Sequence, residues 1–167
     1  MTEKRTIKQT SLVEENPRRG KLGQQCVFCQ IAKEKTDSLI VFQDEISTAF
    51  LDKRPLFPGH CLLVPNEHYV TISELPLDLV GPFFINVKLL AIAVEKGLHA
   101  DGSFLGINNK ISQSVAHLHV HIVPRRSGDG LRGFFYPRQN YASPEEAAKI
   151  QQAVKAAVTE LKLKQIS

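Results

Sequence analysis

The chain has 167 residues, the length of one ordinary domain, and it can bury a core without needing disulfides. Apolar residues make up 43% and charged residues 23% of the sequence, as is typical of soluble globular proteins. The 21 basic and 17 acidic residues give a net charge of +4, which suits an anionic ligand but is too small to indicate a nucleic-acid-binding surface. No apolar run reaches the roughly 18 residues of a membrane span, and the first residues lack the apolar segment of a secretory signal. We therefore expect a soluble, cytoplasmic protein with no membrane or nucleic-acid partner.

The sequence divides into a polar N-terminal arm, residues 1–24, and a folded domain, residues 25–167. The arm is rich in Lys, Arg, Glu and Gln and lacks the apolar periodicity of a packed element. Cys26 and Cys29 follow it with the spacing of a metal or redox site. In a chain without an export signal, this pair does not indicate a structural disulfide.

The hydrophobic pattern of the domain predicts an α+β fold in which a five-stranded antiparallel sheet is joined by two main helices. Asp44 and Glu45 form the expected tight turn between the first two strands, and Leu79, Phe83 and Val87 begin the apolar stripe of the long helix. The predicted elements are a short helix over 26–35, strands over 39–43, 47–51 and 60–65, a long helix over 76–98, strands over 103–108 and 117–124, and a last helix after residue 143.

Residues near the helix ends predict how the two main helices begin and end. Gly97 is the expected C-cap of the long helix, and Pro82 is expected in or near its first turn. The last helix has Ser143 at its N-cap and Glu146 three residues later, which is the pattern of a capping box. The buried stripe of that helix is expected to start at Ile150.

Histidine alternates with apolar residues along the fifth predicted strand, at His117, His119 and His121. Because strand side chains alternate between faces, the three histidines are expected on one face and their apolar neighbours, including Ala116, in the core. Histidines two residues apart lie about 6.7 Å apart and the outer two about 13 Å, so one metal ion cannot easily bind all three. The imidazoles must therefore divide their roles, and a neutral imidazole can act as nucleophile or as general acid and base. A solvated face that is rich in histidine is the alternative.

A polar turn over residues 108–114 leads directly into these histidines. Its amide, hydroxyl and backbone N–H donors could surround a phosphate group, although the same composition is typical of a simple turn. Lys110, Arg125 and Arg126 add positive charge around the histidines. Residues 110–138 carry five basic residues against one acidic residue, a net charge of +4 that suits the phosphates of a nucleotide.

Three blocks of the sequence resemble the histidine-triad (HIT) family of nucleotide-binding proteins and hydrolases. The most specific block is Gln113-Ser-Val-Ala-His-Leu-His-Val-His-Ile-Val-Pro-Arg125, which fits the family signature Q-S/T-V-x-H-x-H-x-H-x-x-P-R. The other blocks are Cys26-Val-Phe-Cys-Gln-Ile31 and residues 50–65. The order and spacing of the blocks agree with the family over about residues 26–137. The resemblance implies a homodimer in which two five-stranded sheets join into one of ten strands.

The resemblance also implies a covalent mechanism. His119 would attack the α-phosphorus of a nucleotide and form a nucleotidyl-histidine, which water then hydrolyses. His121 and His60 would orient and tune that imidazole, and Gln113 and Ser114 would contact phosphate and leaving-group oxygens. No catalytic metal is required, because positioned donors stabilise the phosphoryl charge.

The nucleotide-binding residues that the resemblance implies are Phe28, Ile31, Phe50, Asp52, Asn108, Asn109 and Ser114. The aspartate would bind the ribose hydroxyls, and the two asparagines would lie near the phosphates. The three apolar residues match the family's slot for the base, although they are equally typical of an ordinary core. The sequence departs from the family at Ser112, where many members have glycine, and in the shorter loop that precedes Gln113.

A structural zinc ion is a further implication, because some bacterial members bind zinc through a CxxC pair, the histidine after the third strand and the first histidine of the triad. Here these ligands are Cys26, Cys29, His68 and His117, a set that suits a closed tetrahedral site. Inert cysteines and a thioredoxin-like redox pair are the alternatives. The redox motif should follow a buried strand, whereas polar residues precede Cys26.

These expectations lead to a nucleotide hydrolase or transferase as the main functional hypothesis. The loop over residues 54–60 resembles that of the family branch that acts on dinucleoside polyphosphates, which implies these as substrates, with nucleoside phosphoramidates as the alternative. A zinc-stabilised nucleotide-binding module with little turnover and a metalloenzyme with its metal on a His-x-His pair are the hypotheses from other classes. Residues 128–138 are expected to close over the nucleotide, to line a dimer groove or to form a packed loop.

Overall fold

The computed structural model of the chain describes residues 25–33, 36, 38–131, 141–146 and 148–152. The chain divides into two compact units, Met1–Asp129 and Gly130–Ser167. Three predicted features lie outside the described residues: the polar arm over residues 1–24, the segment over residues 132–138, and the stripe of the last helix beyond residue 152.

The first unit contains the predicted five-stranded antiparallel sheet. The strand order is β1-β2-β3-β5-β4, so β3 and β5 lie inside the sheet and β4 lies at one edge. Its elements are α1 (Val27–Ala32), β1 (Ile40–Gln43), β2 (Ser47–Leu51), β3 (Cys61–Pro65), a 3-10 turn (Ile72–Glu74), α2 (Leu77–Leu98), β4 (Gly102–Ile107) and β5 (Val120–Arg125).

The tight turn between β1 and β2 forms where the sequence predicts it. One carboxylate oxygen of Asp44 accepts the backbone N–H groups of Ile46 at 3.0 Å and Ser47 at 2.7 Å. The buried Asn86 of α2 donates to the other oxygen of Asp44 at 2.6 Å and to the Ser47 hydroxyl at 2.9 Å. The turn is therefore attached to the long helix as well as to its own strands.

The two faces of the sheet bury different sets of side chains, because successive residues of a strand point to opposite faces. On one face, Leu63 of β3 and Val120 of β5 share a core cluster with Phe83, Val87 and other residues of α2. On the other face, the members of the second cluster are Phe28, Ile31, Phe50, Leu62 and Val64. The helix α1 with its cysteines thus belongs to the face that α2 does not cover.

The prediction that Gly97 caps α2 is wrong, and the prediction that Pro82 lies in or near its first turn is confirmed. Gly97 lies inside the helix, and the left-handed residue that ends it is His99, with a φ of 52°. Arg126 reinforces this end by donating to the carbonyl oxygens of Leu98 and His99 at 2.6 and 2.8 Å. Pro82 lies inside the helix beyond its first turn, where its missing N–H leaves one helical hydrogen bond unmade.

One face of α2 is apolar but exposed. By length and composition the helix could cross a membrane, with an 18-residue window of mean hydropathy 1.8, a test that core helices of soluble proteins also pass. Its buried face, which includes Phe83 and Val87, packs in the core, while Ile85, Leu89 and Ile92 are exposed.

The histidine segment only partly follows the predicted strand. β5 begins at Val120, so His117 and His119 precede it, and Ala116 is exposed rather than in the core. The alternation nevertheless extends back to Leu118, which is fully buried and whose N–H donates to the carbonyl of Tyr69 at 2.6 Å. The hydrogen bond to Tyr69 therefore keeps Leu118 in the alternating pattern of β5, although the strand itself begins only at Val120.

The second unit begins its helix as the sequence predicts. The Ser143 hydroxyl accepts the N–H of Glu146 at 3.2 Å, and the described residues 144–146 and 148–152 are helical. The Glu146 carboxylate accepts the N–H of Ala142 rather than that of Ser143, so the reciprocal bond of the box is displaced by one residue. Ile150, the predicted start of a buried stripe, is exposed.

Candidate functional site

Two cysteines and two histidines come together on the sheet face that carries α1. Cys26 is the N-cap residue of α1 and Cys29 lies in its first turn, so the CxxC spacing places both sulfurs on one side of the helix start. His117 Nδ1 lies 3.4 Å from each sulfur, and His68 Nδ1 lies 3.3 Å from Cys29 Sγ. The four ligand atoms lie within 4.8 Å of one another, so this cluster could hold a metal ion.

The protonation of this cluster follows from its surroundings. The His117 Nε2–H donates to the carbonyl of Pro65 at 2.9 Å, which leaves the Nδ1 lone pair facing the sulfurs. Burial lowers the pKa of His117 to about 4, so its imidazole is neutral near pH 7. Burial and the neighbouring Cys26 raise the pKa of Cys29 to about 12, so a nearby cation is needed for this thiol to ionise.

A cavity of about 720 Å³ opens beside this cluster, between α1, the end of β2 and the histidine segment. Most of the predicted catalytic and nucleotide-binding residues line it, namely Phe28, Ile31, Phe50, Asp52, Ser114, His119 and His121. The apolar wall of the cavity also includes residues that were not predicted to line it, namely Leu39, Leu51, Leu62 and Val115. Their apolar character alone could not separate a cavity wall from the core.

Phe28 is the centre of the apolar wall. Its ring lies 5.3 Å from the ring of Phe50, and its edge meets the ring of His119 at the same 5.3 Å distance between centroids. Both phenylalanines and Ile31 are buried members of the second core cluster and also line the cavity. The two interpretations of these residues, core and cavity wall, therefore both hold.

A backbone carbonyl fixes the tautomer of the His119 imidazole. Its Nδ1 lies 2.7 Å from the carbonyl oxygen of His117, and because a carbonyl can only accept, this nitrogen carries the proton. In the neutral ring the lone pair is then on Nε2. The imidazole is buried, lines the cavity and is held by the backbone of a residue in the cysteine cluster.

His121 and His60 form a hydrogen-bonded pair of imidazoles. His60 Nε2 and His121 Nδ1 are 3.0 Å apart, and the N–H of Leu56 donates to His60 Nδ1 at 3.2 Å. Burial and the neighbouring His119 lower the pKa of His121 to about 4, and burial also lowers the pKa of His60. Asp52 lies beside the pair, with its carboxylate 3.6 Å from His60 Nδ1.

Asp52, His60 and His121 form the second group of close ligand atoms in the described part of the chain, and His119 belongs to neither group. The hypothesis of a metal on a His-x-His pair therefore has no support from this arrangement. His60 itself does not line the cavity and contacts it through His121.

The predicted phosphate loop points elsewhere. Gln113 donates to the carbonyls of Val70 and His117 at 2.6 and 3.3 Å and does not line the cavity. Asn109 accepts the N–H of Ile72 at 3.1 Å, and Asn108 does not line the cavity either. Gln113 and Asn109 therefore attach this loop to the segment around Val70 and Ile72.

The cationic residues of the cavity differ from those expected. Arg125 pairs with Asp129 at 2.6 Å, and Arg126 caps α2, so neither lines the cavity. Lys53 and Arg54 line it instead, directly after Asp52. The sequence contains one indication of this, because Lys53 and Arg54 directly follow Asp52, the expected ribose-binding residue. The net charge of residues 110–138 pointed to other cations instead.

Comparison with known proteins gives the same family as these motifs. The HIT domain profile matches residues 33–128. An uncharacterized HIT-like protein of Saccharolobus solfataricus is 37% identical over 132 residues, which cover 77% of this chain and 94% of that protein. An adenylylsulfatase of Arabidopsis thaliana is 35% identical over 112 residues, 66% of this chain and 57% of that protein.

Two further similarities concern chemistry and metal content. The asymmetrical bis(5'-nucleosyl)-tetraphosphatase of Schizosaccharomyces pombe is 30% identical over 100 residues, 59% of this chain and 55% of that protein. A zinc-bound histidine triad protein from Mycobacterium smegmatis superposes with a TM-score of 0.62 at 32% identity, covering 83% of this chain and 99% of that one. With the HIT profile matching more than half of its length, the chain belongs to the HIT domain family.

Proposed function

We propose that this protein is a nucleotide hydrolase or transferase that cleaves at the α-phosphate through a nucleotidyl-His119 intermediate. The observation that carries the proposal is the hydrogen bond from His119 Nδ1–H to the His117 carbonyl, which leaves the Nε2 lone pair as the nucleophile in the cavity. Two relatives, the adenylylsulfatase and the tetraphosphatase, have names that state an activity on nucleotides.

The proposed reaction has two displacements at phosphorus. His119 Nε2 forms a bond to the α-phosphorus, and the leaving group departs with the electron pair of its bond. Water then attacks the same phosphorus, the phosphorus–nitrogen bond breaks, and the nucleoside monophosphate leaves with His119 restored. The Nε2–H of His121 is the buried donor beside His119, with ring centroids 4.9 Å apart, and it would stabilise the charge on phosphate or leaving-group oxygens.

The remaining site residues take roles that agree with their positions. Asp52 would bind the ribose hydroxyls, and the apolar wall formed by Phe28, Ile31 and Phe50 would hold the base. Ser114 would contact phosphate, because it lines the cavity beside His119. Gln113 and Asn109 do not line the cavity, so their proposed role is to position the histidine segment, whereas Asn108 stays a predicted phosphate contact that the cavity lining does not include.

Dinucleoside polyphosphates are the proposed substrate class, and nucleoside phosphoramidates are the alternative. The sequence similarity to a dinucleoside tetraphosphatase supports the first class. Lys53 and Arg54 at the cavity also favour a substrate with several phosphates, since each cation is attracted to added negative charge. Adenylyl sulfate is a further anhydride to test, because a relative is an adenylylsulfatase.

We also propose that Cys26, Cys29, His68 and His117 hold a structural zinc ion. Zinc bonds of about 2.3 Å to sulfur and about 2.05 Å to nitrogen place these atoms about 3.5 Å apart in a tetrahedron. The observed distances of 3.3 to 3.4 Å between sulfur and nitrogen fit that arrangement. Four protein ligands would leave no open position for substrate, so the ion would stabilise the fold and we expect no catalytic metal.

Residues 25–167 are proposed to act as one catalytic domain after a polar arm, in a cytoplasmic homodimer. The described part of the chain supports a dimer at one edge of the sheet, where β4 presents an unpaired edge and the half-exposed Leu105. The exposed apolar residues Ile85, Leu89 and Ile92 of α2 are a second surface that a partner copy could cover. The three unpaired cysteines agree with a reducing compartment.

The decisive experiment compares wild type with His119→Ala on diadenosine polyphosphate, an adenosine phosphoramidate and adenylyl sulfate. We expect turnover by wild type, a nucleotidyl adduct in its intact mass after rapid acid quench, and loss of both in the variant. His99→Asn is the matched control, because it removes a histidine outside the cavity at a left-handed position that asparagine tolerates. Turnover that survives in His119→Ala would exclude the covalent mechanism, and AMP binding by a wild type without turnover would favour the binding module.

A further inference from the structure

Three polar side chains form a row whose two ends, the partly exposed Asp52 and His121, both line the cavity, with the buried His60 between them. A carboxylate oxygen of Asp52 lies 3.6 Å from His60 Nδ1, and His60 Nε2 lies 3.0 Å from His121 Nδ1. The Asp52 side chain is 24% exposed, whereas that of His60 is 3% exposed. His121 Nε2 is buried and has no hydrogen-bond partner among the described residues.

The position of each proton in this row follows from one backbone contact. The N–H of Leu56 donates to His60 Nδ1, so a neutral His60 carries its proton on Nε2 and donates it to His121 Nδ1. His121 therefore carries its own proton on Nε2, at the cavity. Every proton in the row points away from Asp52 and toward the place where the substrate reacts.

A leaving group of high proton affinity, such as an amine, must receive a proton as its bond to phosphorus breaks. The His121 Nε2–H is the buried donor next to His119. Once it is given away, His121 Nδ1 must take the proton of His60 Nε2. His60 must then take a proton at Nδ1, the nitrogen that faces the Asp52 carboxylate.

We propose that Asp52, His60 and His121 form a proton path, in which Asp52 collects a proton from solvent for His60 and thereby supplies the leaving group through His121. The path rests on the proposed nucleotidyl transfer and adds a positioning role for Asp52 beyond ribose binding. One proton enters when the leaving group departs, and one returns by the same path when water attacks the intermediate. Protonation of His60 Nδ1 exchanges its bond from Leu56 for one to Asp52.

The path has a consequence that ribose binding alone lacks. Sulfate leaves as a stable anion and needs no proton, whereas an alkylamine does. In Asp52→Asn the amide retains hydrogen bonding to ribose but cannot relay a proton. We expect the ratio of kcat for an adenosine N-alkylphosphoramidate to kcat for adenylyl sulfate to fall on the order of 10²-fold, as for loss of general acid catalysis, because any weakening of ribose binding lowers both rates alike.

Two further variants test whether the change in selectivity comes from the proton path or from the charges around it. His60→Gln can still donate to His121 but cannot pass a proton on, so it should show the same selectivity as Asp52→Asn. The other groups that face the row are His119, next to His121, and the cations Lys53 and Arg54 beside Asp52. Lys53→Gln changes the charge of the cavity without breaking the row, and it should affect both substrates alike.

Equal losses on both substrates in Asp52→Asn would overturn the path and leave nucleotidyl transfer standing. If wild type turns over neither substrate and forms no adduct, both proposals fall together. An activity-independent measurement is the nitrogen-15 spectrum of the imidazoles, which should show the Nε2–H form in His60 and His121 and the Nδ1–H form in His119. The opposite form in His60 or His121 would also overturn the path.

Discussion

The carbonyl oxygen of His117 accepts the Nδ1 proton of His119 at 2.7 Å, while the ring of His117 faces Cys26 and Cys29. One residue thus contributes its side chain to the cysteine cluster and its backbone to the orientation of the proposed nucleophile. Any change that moves His117 must also move the acceptor that fixes the tautomer of His119.

Removal of one metal ligand should therefore reduce both stability and catalysis. In Cys29→Ser we expect loss of bound zinc, a lower thermal midpoint and a kcat reduced by about tenfold or more, since misplacement of a reacting group by about 1 Å can cost 10²-fold. Metal analysis, thermal melts and steady-state kinetics are the measurements. Cys61→Ala is the control, because it removes a buried thiol outside the cluster. Unchanged metal content in Cys29→Ser would contradict the zinc site.

Ser112 lies in the left-handed region, with a φ of 58°, at the position where many members of the family have glycine. Ser112→Gly should raise the free energy of unfolding by about 0.5 to 1 kcal/mol, because glycine adopts this conformation without steric cost. Urea denaturation measures the change. Ser114→Gly, two residues away and not at positive φ, should be neutral or destabilising. A destabilised Ser112→Gly would show that the serine hydroxyl matters more than the backbone strain.

Gly59 precedes His60 and has a φ of 94°. A Cβ there would lie 2.1 Å from Leu98 Cδ1, so Gly59→Ala should lower stability by about 1 to 3 kcal/mol and also reduce activity by displacing His60. Denaturation and kinetics test this together. Gly97→Ala is the contrasting variant: its Cβ meets nothing within 4 Å and it lies inside α2, so it should stabilise by up to about 1 kcal/mol.

Stability should fall as the pH is lowered from about 6.5 to about 4. Burial and His119 lower the pKa of His121 in the folded protein to about 4, whereas an unfolded histidine titrates near 6.5. Between these values the unfolded chain binds a proton that the folded chain does not, so unfolding becomes easier as pH falls, and the effect of this group levels off below about pH 4. Urea midpoints from pH 7 to pH 4 measure this dependence, and His121→Asn should make it less steep, with the lowered pKa values of His117 and His60 accounting for the remainder. An equally steep dependence in that variant would assign the effect to other groups.

The sequence predicts the sheet, because strand alternation is a short-range pattern, whereas most residues of the candidate site were identified by family resemblance and their roles stay predictions. Alternation identifies the histidines and the core strands, and the CxxC spacing identifies two ligands of a cluster whose other two, His68 and His117, came from family resemblance. It does not predict which polar residues face inward, since Gln113 and Asn109 are turned away by contacts with Val70 and Ile72. Long-range contacts of that kind have no local signature.

The positions of the basic side chains show the same limit of prediction from local sequence. Counting along the chain directs attention to Arg125 and Arg126, but an ion pair with Asp129 and the cap of α2 occupy these side chains. Lys53 and Arg54 belong to the cavity because they follow the end of β2, which β3 alone separates from β5 in the sheet, and this is a property of the sheet order rather than of the local sequence.

The register of β5 against β3 determines which insertions and deletions would move the histidines to the other face of the sheet. Leu62 pairs with His121 and Leu63 with Val120, and the Leu118 N–H is attached to Tyr69, so the chain is fixed from residue 118 onward. An insertion or deletion after that point would move the histidines to the face that α2 covers. Length changes between residues 108 and 116 leave this register untouched. Residues could therefore be gained or lost in that loop while His119, the proposed nucleophile, keeps its place.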